Sequence, residues 1–147
     1  DCVKLFDSWA GALSESHFES IVIEPTRRLV TMLHEKYPDV PVIGFPRGAG
    51  ANYTEFVART GVDAVAIDTN VPLAWASEHL QTRLPLQGNL DPIALIAGGD
   101  ALDTEVDRIL EGLANGPHIF NLGHGILPST PLENVERLVR RIRDHRS

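Results

Sequence analysis

Three side chains stand where they can act on a ligand: His124, Ser8 and Arg47. His124 lies between Gly123 and Gly125, directly after the apolar run from His118 to Leu122. Flanking glycines let a backbone approach a ligand closely, and an imidazole there can donate or accept a hydrogen bond near neutral pH. The plain alternative is a solvated loop histidine among turn residues. Ser8 ends another apolar run but has no adjacent base and no GxSxG context, so little supports a nucleophile. Donation of a hydrogen bond to a bound group and an ordinary turn role stay equally open. Arg47 suits a bidentate carboxylate clamp, or it is a solvated loop arginine. Gly48-Ala49-Gly50 can cradle a phosphate at a helix start, but the Lys-Ser/Thr ending of a P-loop and a full GxGxxG are missing. Gln87-Gly88-Asn89 sets amide donors and acceptors beside a close-approach glycine. Asp7, Asp68 and Asp91 are the oxygen ligands that hard cations prefer, yet no two share an i, i+4 or HxxxH-type spacing. Asp91 reads as a helix cap, and Asp7 and Asp68 as holders of loops through backbone amides. No metal is expected. Trp9 and Trp75 are expected to pack rather than to stack on a ligand.

The elements that must carry these groups follow from the apolar pattern. Short runs rich in Val, Ile and Leu predict strands over 3–6, 40–45, 64–67, 84–86 and 118–122. They lack polar alternation, as in a parallel sheet covered on both faces. Ser14 or Ser16 is expected to cap the first helix, with Ser16 and Glu19 at capping-box spacing, and Pro25 to divide it from a second segment ending near Lys36. Asn52 and Glu55 open a helix stopped by Gly61, and Pro72 opens one running to about Leu80. Asp91 caps and Pro92 begins the next. Val106, Ile109, Leu110 and Leu113 mark a further helix that Gly116 stops. Thr130 as cap, Pro131 and Glu133 open the last, with Val135, Leu138, Val139 and Ile142 on one face. Strand, loop and helix thus recur five times without a linker, so residues 1–147 form a single unit. Crossovers of this kind are right-handed, and ligands of such sheets bind at the strand ends. Five units make either an open sheet or part of a (β/α)8 barrel.

Composition narrows the classes. Lys and Arg number 13 against 20 Asp and Glu, a net charge of -7, which argues against nucleic acid and anionic membranes as partners. A polyanionic ligand would need a local basic patch. The single Cys2 excludes a disulfide framework and a cysteine zinc site and suits a reducing compartment. No apolar run reaches the roughly 18 residues of a membrane span, and no signal peptide is visible. The opening Asp1-Cys2-Val3, without methionine, leads us to expect processing, trimming or a fragment.

Read together, Phe6-Asp7-Ser8-Trp9-Ala10-Gly11, Phe45-Pro46-Arg47-Gly48, Leu86-Gln87-Gly88-Asn89-Leu90-Asp91-Pro92 and Asn121-Leu122-Gly123-His124-Gly125-Ile126 resemble the uroporphyrinogen decarboxylases over essentially the whole chain. The resemblance implies a distorted (β/α)8 TIM barrel about twice this length, of which these are the last five units and residues 1–147 a partial domain. It implies a cofactor-free, cytoplasmic carboxy-lyase of haem biosynthesis, removing carbon dioxide from the acetate arms of uroporphyrinogen III to give coproporphyrinogen III. Protonation of a pyrrole carbon makes the ring an electron sink for the departing carboxylate. The family's pyrrole-gathering aspartate, its arginines and a tyrosine lie in the other half, so no catalytic residue is expected here. Ser8 and His124 match the family's substrate-contacting serine and histidine, and Arg47 a position that is usually basic. Asp68-Thr69-Asn70 departs from the commoner Asp-Trp-Thr and is given no contact role.

The octa-acidic tetrapyrrole would then be neutralised mainly by groups outside this chain. The isolated chain is expected to be inactive, with two open strand edges and an uncovered interior that favour a homodimer or a second half of the protein. Two rival readings remain. A corrinoid-dependent methyltransferase of the same barrel superfamily holds zinc through a His-x-Cys pair and a further cysteine, whereas Cys2 is alone here. A non-catalytic, anion-binding barrel half would lack an upstream R-Q-A-G-R segment.

Overall fold

The apolar runs become strands β1 (Val3–Asp7), β2 (Val42–Pro46), β3 (Ala64–Ala66), β4 (Leu86–Gln87) and β5 (His118–Ile119) in a computed structural model that describes residues 1–145. All neighbours run parallel in the order β1-β2-β3-β4-β5. Strands consecutive in the chain are therefore consecutive in space, and the winding never reverses. A doubly wound sheet reverses at its switch point and a barrel does not. The fold is α/β, five consecutive units wound in the barrel manner.

Several strands are shorter than their apolar runs, and β4 is displaced to include Gln87. The ladder nevertheless continues past them: Ile67 N–H donates to Gln87 O at 2.8 Å, Gly88 N–H to Ile119 O at 3.1 Å and Leu90 N–H to Asn121 O at 3.1 Å. These bonds set the heights of the loops at the strand ends.

The helices are α1 (Glu15–Phe18), α2 (Glu24–Lys36), α3 (Tyr53–Thr60), α4 (Leu73–Ala76), α5 (Pro92–Ala97), α6 (Gly99–Gly112) and α7 (Leu132–Asp144). Pro25 does not divide the first helical region as the sequence suggested. A π-helical turn, Glu19–Ile23, joins α1 to α2 in one rod, and Pro25 falls in the first turn of α2. The wider turn gives the pyrrolidine ring room where a regular turn would clash. Ser16 lies inside α1 and builds no capping box, while the Ser14 hydroxyl lies 3.1 Å from His17 Nδ1 instead of bonding a helix amide. Gly61 ends α3 as expected. The Asp91 cap is formed, its Oδ1 accepting from Ile93 N–H at 2.8 Å. Thr130 does not cap α7. Pro131 occupies that position, and the Thr130 hydroxyl is buried without a partner. Gly116 lies beyond the end of α6, which stops at Gly112.

Two faces of the sheet have different neighbours. Alternation along the strands turns Val42, Val65 and Leu86 toward the helices. There they join Phe18, Val30, Tyr53, Phe56, Leu102, Val106, Ile109 and Leu138 in the main core. Leu102, absent from the stripe read in the sequence, is fully buried. Ile43, Phe45, Ala64 and Ala66 form a separate buried patch on the opposite face. At the two edge strands that inner face opens, with Phe6 67% and Ile119 42% exposed. Arg137 bonds Asp103 through Nε at 2.9 Å and Nη2 at 2.8 Å, and Arg141 pairs with Asp107, tying α7 to α6. Among the described residues no helix is long and apolar enough to cross a membrane.

Candidate functional site

The parallel ladder carries the loops after β1, β2, β3 and β5 to the same end of the sheet. Arg47 N–H donates to Asp7 O and Gly11 N–H to Arg47 O, each at 3.0 Å, stitching the Ser8 loop to the Arg47 loop. Ser8 and Arg47 line one cleft of about 320 Å³ together with Trp9, Gly48, Asp68 and Asn70. Ser8 is half-buried at its wall and Arg47 is exposed. His124, exposed in its loop, does not line that cleft. Its ring packs on Phe45 of the inner face with centroids 6.4 Å apart. Of the three sequence candidates, Ser8 and Arg47 therefore share one cleft wall, while His124 lies at the same end of the sheet against Phe45.

Glycine fixes the position of the His124 loop. A Cβ on Gly123 would stand 2.5 Å from the Thr69 amide nitrogen, closer than any side chain permits. Gly123 N–H also donates to Leu90 O at 2.8 Å. The loop thus lies directly against the Asp68-Thr69 backbone, the segment that departs from the common family pattern.

Asp68 organises the wall. Its carboxylate accepts from Gly48 N–H at 2.8 Å, Asn70 N–H at 3.0 Å and the buried Tyr53 hydroxyl at 2.9 Å. Burial, and then the adjacent carboxylate, drive the Tyr53 phenol far above its usual range. Asn89 donates through Nδ2 to Asp68 O and Val71 O, both at 3.0 Å. The remaining acidic groups serve amides too, since Asp7 Oδ1 accepts from Trp9 N–H at 3.2 Å and Asp91 caps α5. Among the described residues no group of three His, Cys, Asp or Glu is placed to hold a metal.

Three sequence readings change. The Gly48 amide is engaged by Asp68, so Gly48-Ala49-Gly50 does not offer it to a phosphate. Gly88 is a close-approach residue, but what it approaches is the backbone just after β3, where a Cβ would meet Ile67 O at 2.6 Å. Trp9 does not pack: it is 80% exposed beside the cleft, whereas Trp75 is half-buried and stacked on His79 at 5.1 Å.

Sequence reasoning overlooked Lys4, taken there as part of an apolar run. It shares the inner face with Phe6, and its Nζ donates to Gln87 Oε1 at 2.6 Å. The ammonium lies 4.7 Å from the Phe6 ring centre and 5.0 Å from that of Phe45. A lone charge alternating with Val3 and Leu5, on the face of Phe6, was the available signal.

The family model for uroporphyrinogen decarboxylase (URO-D) matches residues 1–145. The chain belongs to the uroporphyrinogen decarboxylase family. It is 54% identical over 143 residues to the uroporphyrinogen decarboxylase of Sphingopyxis alaskensis and 55% identical over 143 residues to that of Rhizorhabdus wittichii, covering 97% of this chain and 42% of each relative. The enzyme of Brucella anthropi is 50% identical over 147 residues, all of this chain and 43% of its own length. The chain therefore spans less than half the length of these relatives. Among solved structures, a methyltransferase from Methanosarcina mazei superposes with a TM-score of 0.83 at 23% identity, covering 100% of this chain and 43% of its own. That likeness concerns the fold alone.

Proposed function

We propose that this chain supplies the last five βα units of a uroporphyrinogen decarboxylase, and that the complete cytoplasmic protein converts uroporphyrinogen III to coproporphyrinogen III without a cofactor. The observation that supports this most is that Ser8 and Arg47 share one cleft, with His124 at the same end of the sheet, in a chain of that family. In this reading Ser8 and His124 hydrogen-bond the carboxylate arms or help to place the ring. Arg47, exposed on the cleft wall, is the lesser candidate for a carboxylate arm. Each bond is charge-assisted on the substrate side and so stronger than a neutral one. Pyrrole protonation falls to residues of the units outside this chain, and the chain alone is inactive.

The test joins the coding sequence upstream of Asp1 to this chain and assays the purified product anaerobically with uroporphyrinogen III. Stepwise loss of four carboxyl groups is the expected result. Absence of decarboxylation together with stoichiometric zinc would instead favour a methyltransferase, whose zinc ligands include cysteine. A protein that binds polycarboxylates and turns over none would be an anion-binding module.

A further inference from the structure

Among the described strand residues of the inner face, Lys4 alone carries a charge. It stands in the sheet layer of Ile43 and Ala64, and its side chain rises to the next layer, that of Phe6, Phe45, Ala66 and Gln87. There the ammonium meets one neutral oxygen, Gln87 Oε1, and two ring faces. An ammonium has three donors, and among the described residues no carboxylate comes within ion-pair distance of this one. A half-buried cation left this way is costly for the fold. Burial accordingly pushes the Lys4 ammonium below the usual lysine range, against a smaller upward pull from Cys2.

The position of that charge gives it a use. Phe45, one of the rings that holds it, also carries His124 on it at 6.4 Å. Phe6 and Phe45 are set edge to face at 5.9 Å, and Phe6 lies two residues before Ser8, whose loop is bonded to that of Arg47. A half-buried charge acts over such a distance with only part of the screening that water and salt impose on an exposed one. The acidic groups at the same end of the sheet, Asp7 and Asp68, are occupied by backbone amides.

We propose that Lys4 is a binding residue of this end of the sheet: held against the Phe6 and Phe45 rings by Gln87, its ammonium draws the carboxylates of an anionic ligand toward those rings. This deepens the proposed decarboxylase function and rests on it for the identity of the substrate. Lys4 takes no part in proton transfer in this account, and its contribution is to affinity.

The experiment uses the full-length protein with Lys4→Gln, which keeps a hydrogen-bonding side chain and removes the charge, and Lys4→Arg, which keeps the charge. KM and kcat for uroporphyrinogen III are measured at low and high salt. Binding of oxidised uroporphyrin is followed separately by fluorescence titration, and thermal midpoints are recorded. Lys4→Gln is expected to raise both KM and the uroporphyrin Kd about threefold to tenfold, leaving kcat within about twofold, with the difference shrinking at high salt. Lys4→Arg is expected to restore affinity. Unchanged affinity in Lys4→Gln overturns the proposal, and a lowered midpoint alongside it would show Lys4 to be an internal ion-pair partner of the remaining strands. If the unaltered protein binds uroporphyrin in a Lys4-dependent way but never decarboxylates, the functional reading falls and this role stands. If it neither binds nor reacts, both fall.

Discussion

The Tyr53 hydroxyl donates to Asp68 across 2.9 Å of buried space, joining the start of α3 to the loop after β3. Asp68 in turn accepts from the Gly48 and Asn70 amides, so one carboxylate fixes two of the loops that form the cleft wall. Removing the phenol oxygen takes a donor from a buried charge without emptying the space. We expect Tyr53→Phe to destabilise the full-length protein by about 1–3 kcal/mol, read from urea unfolding. An unchanged midpoint would mean that Asp68 does not depend on Tyr53.

The same pair sets an alkaline limit. The phenol is held protonated in the fold above its ordinary value of 10.0, so the unfolded chain loses that proton first. Its contribution is complete below about pH 10 and falls as pH rises beyond it, because the unfolded state then binds fewer protons. Stability measured from pH 9 upward should decline less steeply in Tyr53→Phe than in the unaltered protein. Parallel curves would refute this.

Gly123 leaves no space for a methyl group beside the Thr69 amide. Gly123→Ala should push the His124 loop off the Asp68-Thr69 backbone. His124 itself is exposed, and His124→Ala should spare the thermal midpoint while reducing turnover by about tenfold or more, the scale of a lost charge-assisted bond. Paired measurements of midpoint and turnover decide the matter. A collapsed midpoint with normal turnover in the folded fraction would make His124 structural.

Arg137 and Arg141 hold Asp103 and Asp107 below the usual carboxylate range, chiefly through their side-chain hydrogen bonds. A lowered carboxyl contributes stability above its unfolded value, 3.8 here, and loses it as pH falls through the folded one. Asp103→Asn should therefore flatten the acid limb of the stability curve. The groups are solvent-facing, so the effect at neutral pH should be small and weaken with salt. Urea midpoints across pH at low and high salt give the check.

The isolated 147-residue chain has β1 and β5 as its sheet edges and an inner face bearing exposed Phe6 and Ile119. Open edges with adjoining apolar surface recruit other chains. Sedimentation should show association, and the decarboxylation assay no turnover. A dilute monomer with full activity would contradict both expectations.

The local pattern determined the α/β class, the five units and the Asp91 cap, since apolar periodicity and capping chemistry act within a few residues. Ser8, Arg47 and His124 were legible as candidates because each follows an apolar run at a glycine or turn. The continuous rod through Pro25 was not legible, as it depends on a widened turn that relieves the clash between the proline ring and the carbonyl of the preceding turn. Thr130 could have capped α7 by type, but Pro131 took that position. Above all, only tertiary structure decided that Lys4 faces Gln87, that Tyr53 serves Asp68 and that Trp9 projects into solvent. Those relations join residues far apart in the chain, and the register of parallel strands, which no single segment specifies, brings them together or leaves them exposed.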